Sequence, residues 1–144
     1  HQMIIFQTKN YAGEIKKHPL KDKSYHLIRG KQLVTIYDKS NSSLRPWVAA
    51  PSLTNISGID YDSDHNLWVA NTGANEILSI LKNDGSWKSF NLGGSMSAVD
   101  IAQLLVDKQN YKWIVKRKEG YVAVFNDNNT SRNFLFFSFA TCNH

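Results

Sequence analysis

The stretch Asp62-Ser63-Asp64-His65-Asn66-Leu67-Trp68-Val69 returns as Asp107-Lys108-Gln109-Asn110-Tyr111-Lys112-Trp113-Ile114, with the two tryptophans 45 residues apart. Each copy holds an Asp, five residues, a Trp and a β-branched residue. An apolar segment precedes each copy, at 56–61 and 99–106, and a Gly with a second apolar segment follows: Gly73 before 77–81, Gly120 before 121–125. A fainter copy lies upstream, with Tyr25 in the Trp place, 43 residues before Trp68, then Gly30 and the segment 33–38. Self-similarity at a fixed period of this length marks a repeat architecture, in which each unit is one supersecondary element packed against its neighbours.

Within the middle unit the residues read as four short strands at 56–62, 66–71, 76–82 and 86–91. The joins between them, 63–65, 71–73, 83–85 and 93–95, are rich in the Asn, Asp, Ser and Gly that form turns. Residues 98–106 come closest to a helical period, but they align with the first strand of the middle unit and are expected to be extended. His65 and Asn110 stand three residues after the shared Asp, where a tight turn needs positive φ, which both tolerate better than most residues. Asp62 and Asp107 are expected to accept hydrogen bonds from the amides of that turn.

Four-stranded units of about 45 residues, apolar on both faces, predict an all-β fold of about three antiparallel propeller-type blades. Two buried faces account for the near-continuous apolar strands, since each blade lies between neighbours. The expected divisions are a degenerate first blade with a basic edge at 1–54, a second at 55–97, and a third with an apolar C-terminal strand at 98–144. Asp62, Trp68, Gly73, Asp107, Trp113 and Gly120 are the repeat positions, with both tryptophans expected to be largely buried. Trp47 and Trp87 are expected in fourth strands at the outer rim. Propellers close with about four to eight blades, so three imply a part of a larger propeller, completed by the remaining blades of the parent protein or by a second copy. The tail at 134–137 is the expected cover for an open edge.

The Asp-to-Trp runs, followed by Gly120-Tyr121-Val122-Ala123-Val124-Phe125, resemble the two-component regulator propeller repeat. The likeness covers 55–127 well and 20–50 poorly, and it departs from the family where His65 and Asn110 replace the usual turn Gly. The segment 84–90 is also similar to repeats of an accessory propeller of the type IX secretion system. The resemblance implies an extracytoplasmic sensor, periplasmic or at the surface of a Gram-negative bacterium.

The chain has 144 residues, 42% hydrophobic and 20% charged, a composition that folds. No apolar run approaches the roughly eighteen residues of a membrane span. Of seventeen basic and twelve acidic residues, seven and two fall in the first 31 positions, so the net charge of +5 is local and the rest is balanced. That pattern reads as a solvated basic edge and argues against nucleic acid as a partner. Cys142 is the single cysteine, which excludes an internal disulfide and a cysteine-based zinc site. The chain begins His1-Gln2, so its N-terminus is expected to be processed or trimmed.

Asp60, Asp62 and Asp64 alternate as in a calcium loop, but His65 and Asn71 stand where such a loop needs Gly and Glu. The same carboxylates could serve as the acid and base of glycoside cleavage, although no second acidic group is marked out nearby. The five histidines show no ligand spacing, and neither a phosphate loop nor a nucleophile elbow occurs. No catalytic residue, metal or cofactor is expected.

Loops on a rigid scaffold are where binding commonly resides. The loops after strands two and four gather on one face, and the candidate ligand-binding residues there are Asn55, Asn71, Thr72, Asn75, Ser95, Lys116, Arg117 and Lys118. The basic run 116–118 could pair with an acidic sugar, or could simply be solvated. The leading expectation is a non-enzymatic sensor module that recognises a glycan or a protein. A scaffold propeller of a secretion or surface complex is the alternative, and a polysaccharide-active enzyme a third.

Overall fold

The computed structural model describes the backbone of residues 3–8, 11–17, 25–29, 32–118, 121–127 and 134–138, with side chains described for 37–94, 96–118 and 121–127. Three antiparallel sheets follow one another along the chain, each with its four strands in sequence order. The first holds β1 (Met3–Thr8), β2 (Tyr11–Lys17), β3 (Tyr25–Arg29) and β4 (Gln32–Tyr37). The second holds β5 (Asn55–Tyr61), β6 (Leu67–Thr72), β7 (Leu78–Leu81) and β8 (Trp87–Phe90). The third holds β9 (Ile101–Val106), β10 (Lys112–Lys116), β11 (Tyr121–Phe125) and β12 (Phe134–Ser138). Among the described residues no helix is long and apolar enough to cross a membrane.

β6 is buried on both faces because alternate residues serve different interfaces. Leu67 and Val69 join Leu44 and Ile56 in a cluster flanked by Tyr37 of β4 and Trp87 of β8. Trp68 and Ala70 face the other way and pack with Ile101, Leu104, Ile114, Ala123 and Phe125 of the third sheet. At 0% exposure, Trp68 sits at the centre of that contact, 5.4 Å from the Phe90 ring and 6.1 Å from Phe125. Burial of this kind contributes roughly 25 cal/mol per Å² of apolar surface.

Polar ties fix how the second and third sheets meet. Asp60 Oδ2 accepts from Val106 N at 2.7 Å, Asn110 Nδ2 donates to Ser63 Oγ at 2.7 Å, and Asn110 Oδ1 accepts from Ser63 N at 3.0 Å. Gly58 allows β5 and β9 to approach, since a Cβ there would lie 2.8 Å from Leu104 N. Lys112 is 1% exposed, with its ammonium 4.0 Å from the Trp68 ring centroid and paired with Asp127.

Several expectations need correction. Tyr25 lies in the third strand of its sheet and not the second, so the faint first copy is out of phase by one strand with Trp68. The cause is a strand pair, β1 and β2, that the period leaves unmarked. Trp47 is in no fourth strand: it lies in the connection after β4, where it forms an isolated bridge with Ala50. Trp113 occupies the same second-strand place as Trp68 but is half-buried, because the face it shares with Leu105 (47% exposed) has no sheet against it among the described residues. The tail 134–138 pairs with β11 as the outermost strand of its own sheet, the apolar C-terminal strand expected of the third blade. Gly120 lies outside the described residues.

Candidate functional site

Antiparallel order puts the ends of β4, β6, β8 and β10 on one face, so the connections that follow these strands share it. At the opposite end lie the Asp turns. Asp62 Oδ1 accepts from Asp64 N at 3.0 Å and Asn66 N at 2.9 Å, and Oδ2 accepts from Asn66 Nδ2 and Trp68 Nε1, both at 2.9 Å. Asp107 repeats the scheme with Gln109 N, Tyr111 N and, at 2.7 Å, Trp113 Nε1. His65 and Asn110 both have φ of 64°. Burial raises the carboxyl pKa at both positions, but these donors outweigh it and the net shift is downward. With every oxygen of Asp62 engaged by the turn, and Asp60 bonded to Val106 and Tyr61 amides, these carboxylates hold the fold together.

On the loop face the candidate residues separate into two kinds. Asn71 is buried, and its side chain accepts from Arg45 N at 2.6 Å and donates to Arg45 O and Asn55 O. It ties the connection after β4 to β6 and presents nothing to a ligand. Thr72 Oγ1 accepts from Ile101 N at 2.6 Å and joins the second sheet to the third. Arg117 pairs with Asp100 at 3.2 Å, and Lys116 lies 5.5 Å from the Tyr121 ring, so the basic run is not a bare cationic patch. Lys118 is exposed. Asn55 opens β5, and Ser95 lies in the short 3-10 turn Gly94–Met96. Asn75 is exposed, and its Oδ1 accepts from Ser97 Oγ at 2.9 Å.

Asn75 also lines an open cleft of about 510 Å³ with Arg45, Pro46, Trp47, Val48, Pro51, Glu76 and Asn91. Most of this site is not legible along the chain, because Trp47 reads as a strand residue and lies instead in the connection after β4. Its indole rests against Gly73, where a Cβ would come within 1.9 Å of Trp47 Cδ1. Gly73 also needs its positive φ of 76° for the turn after β6. Trp47 N donates to Leu53 O at 2.7 Å and Val48 N to Gly73 O at 2.9 Å, which pins the connection to the turn. Arg45 Nε lies 3.5 Å from Glu76 Oε2, which also accepts from Ser89 Oγ at 2.6 Å.

No family model matches the sequence, and no curated protein sequence matches it. Solved structures do. The chain aligns with PorZ, a bacterial surface component of the type IX secretion system of Porphyromonas gingivalis, at a TM-score of 0.69 and 13% identity over 94% of its length. These blades are of the propeller type. Streptogramin B lyase aligns at 0.66 and 11% identity over 96% of the chain, and a catalytically inactive virginiamycin B lyase from Staphylococcus aureus with quinupristin at 0.67 and 10% over 97%. The chain spans 19% of the PorZ chain and 40% and 42% of the two lyases. At such identities the likeness is one of propeller-type fold alone.

Proposed function

We propose that this chain is a non-enzymatic binding part of a propeller, and that its ligand, a glycan or a protein, meets the face built by the connections after strands two and four. The observation that carries the reading is the division of polar groups between the two ends of the sheets. At the Asp turns the carboxylates are consumed by amides and indole nitrogens, whereas the loop face has a cleft with charged and amide groups still exposed. A rigid scaffold with a concave, partly polar cleft suits recognition. In the parent protein this face would serve an extracytoplasmic sensor, in keeping with the resemblance of the repeats. A second reading, a scaffold of a surface or secretion complex, is favoured by the likeness to a secretion-system surface component.

The test is to titrate the purified chain with oligosaccharides and with candidate partner proteins by calorimetry, and to assay the same oligosaccharides for cleavage. Saturable binding without turnover supports the module. Turnover that is lost in Asp60→Asn or Asp62→Asn would overturn it in favour of an enzyme.

A further inference from the structure

The cleft offers chemistry of one kind. Its lining has one cation and one anion, Arg45 and Glu76, already 3.5 Å apart, so it has no surplus charge to attract an ionic ligand. Its polar groups are planar side chains with both donors and acceptors. Asn75 Oδ1 and Asn91 Oδ1 accept from Ser97 Oγ and Gly93 N, while the Nδ2 donors of both amides have no protein partner among the described residues. Glu76 Oε1 is likewise left as an acceptor. Beside them lie the Trp47 indole, two prolines and Val48, which is 50% exposed.

A ligand that fits must offer donors and acceptors in pairs, have an apolar side and carry no net charge. Sugar hydroxyls both donate and accept, as Asn, Glu and Arg side chains require, and the C–H face of a pyranose suits an aromatic or proline wall. An extended peptide would also offer both group types, but it is recognised largely through main-chain amides and carbonyls. The amides in this wall are already taken, Trp47 N by Leu53 O and Val48 N by Gly73 O. The site is also held in place before any ligand arrives, by Asn71 across 26 residues and by the indole seated on Gly73. Such preorganisation lowers the cost of binding.

Building on the binding-module reading, we propose that the cleft between the connection after β4 and the outer end of the second sheet binds a short neutral oligosaccharide. Trp47 forms the apolar platform, and Arg45, Asn75, Glu76 and Asn91 bond its hydroxyls. The basic run at 116–118 takes no part.

The experiment presents the chain to three immobilised probe sets: neutral oligosaccharides, uronic-acid and sulfated oligosaccharides, and proline-rich peptides. Neutral members are expected to bind, with affinity falling at least about tenfold in Trp47→Ala and in the Asn75→Ala/Asn91→Ala double variant, the order expected for loss of a main anchor. The Arg117→Glu/Lys118→Glu variant should bind unchanged. Because Trp47→Ala could loosen the connection, the double amide variant, which gives up only two exposed hydrogen bonds and should melt close to the parent, is the deciding one. Binding confined to anionic sugars or to peptides overturns the proposal and leaves the module reading standing, as does neutral binding that the double variant does not weaken. Silence from all three sets counts against both. Cleavage of a bound neutral sugar overturns the module reading alone.

Discussion

Asp62 Oδ2 accepts the indole hydrogen of Trp68 at 2.9 Å while its Oδ1 takes two amides of the turn between. One carboxylate therefore shapes the β5–β6 hairpin and fixes the rotamer of the residue at the centre of the contact between sheets. The spacing of six residues is what lets one side chain do both, and Asp107 does the same for Trp113.

The two tryptophans should differ in what they contribute. Trp68→Ala removes a ring with 0% exposure and is expected to cost about 3–5 kcal/mol, whereas the half-buried Trp113 should cost clearly less on Ala substitution. Urea unfolding of the two variants measures the difference, and equal losses would contradict the unequal cover of the two faces.

Acid should weaken the fold through the same turns. Asp62 and Asp107 have carboxyl pKa values held below the ordinary 3.8, so the stability they contribute is fully present above that value and is lost as pH falls through the lower folded values. Urea midpoints should stay level from pH 7 to about 5 and decline below 3.8. Asp62→Asn should be less stable at neutral pH and decline less steeply in acid. An unchanged acid slope would remove Asp62 from the account.

Lys112 stands where the second sheet has Leu67, and Asp127 pairs with its buried ammonium, with Asp107 close enough to feel the charge. Removing the anion while keeping the cation is the damaging change: Asp127→Ala is expected to cost about 3–5 kcal/mol, while Lys112→Met should be neutral or mildly stabilising. Thermal melts of the two variants decide this, and a strongly destabilised Lys112→Met would show that the ion pair contributes more than its burial costs.

Ala98 has φ of 54°, a left-handed conformation that costs a residue with a side chain about 1–2 kcal/mol. Ala98→Gly should raise the melting temperature, with a gain of about 0.5–1 kcal/mol after the extra freedom of glycine in the unfolded chain is set against it. A lower melting temperature would indicate that the methyl group makes a contact worth more than the strain.

The hairpin chemistry was readable along the chain because it is local. Asp62, Asn66 and Trp68 fall within seven positions, so their cooperation leaves a spacing that recurs wherever the unit recurs, and the four strands of the second sheet lie within about two residues of where the turn formers place them. The contacts between units leave no such trace. Asn71 reads as an exposed turn residue until Arg45, 26 positions earlier, is seen to bond it from both sides. Asp60 reads as a possible acid until Val106, 46 positions later, brings its amide to it. Trp47 reads as a strand residue until the turn at Gly73 is found beneath its ring. The pattern of apolar residues records which faces must be covered. Which distant group does the covering depends on how one sheet packs on the next, and that packing decided the burial of Lys112 and the location of the cleft.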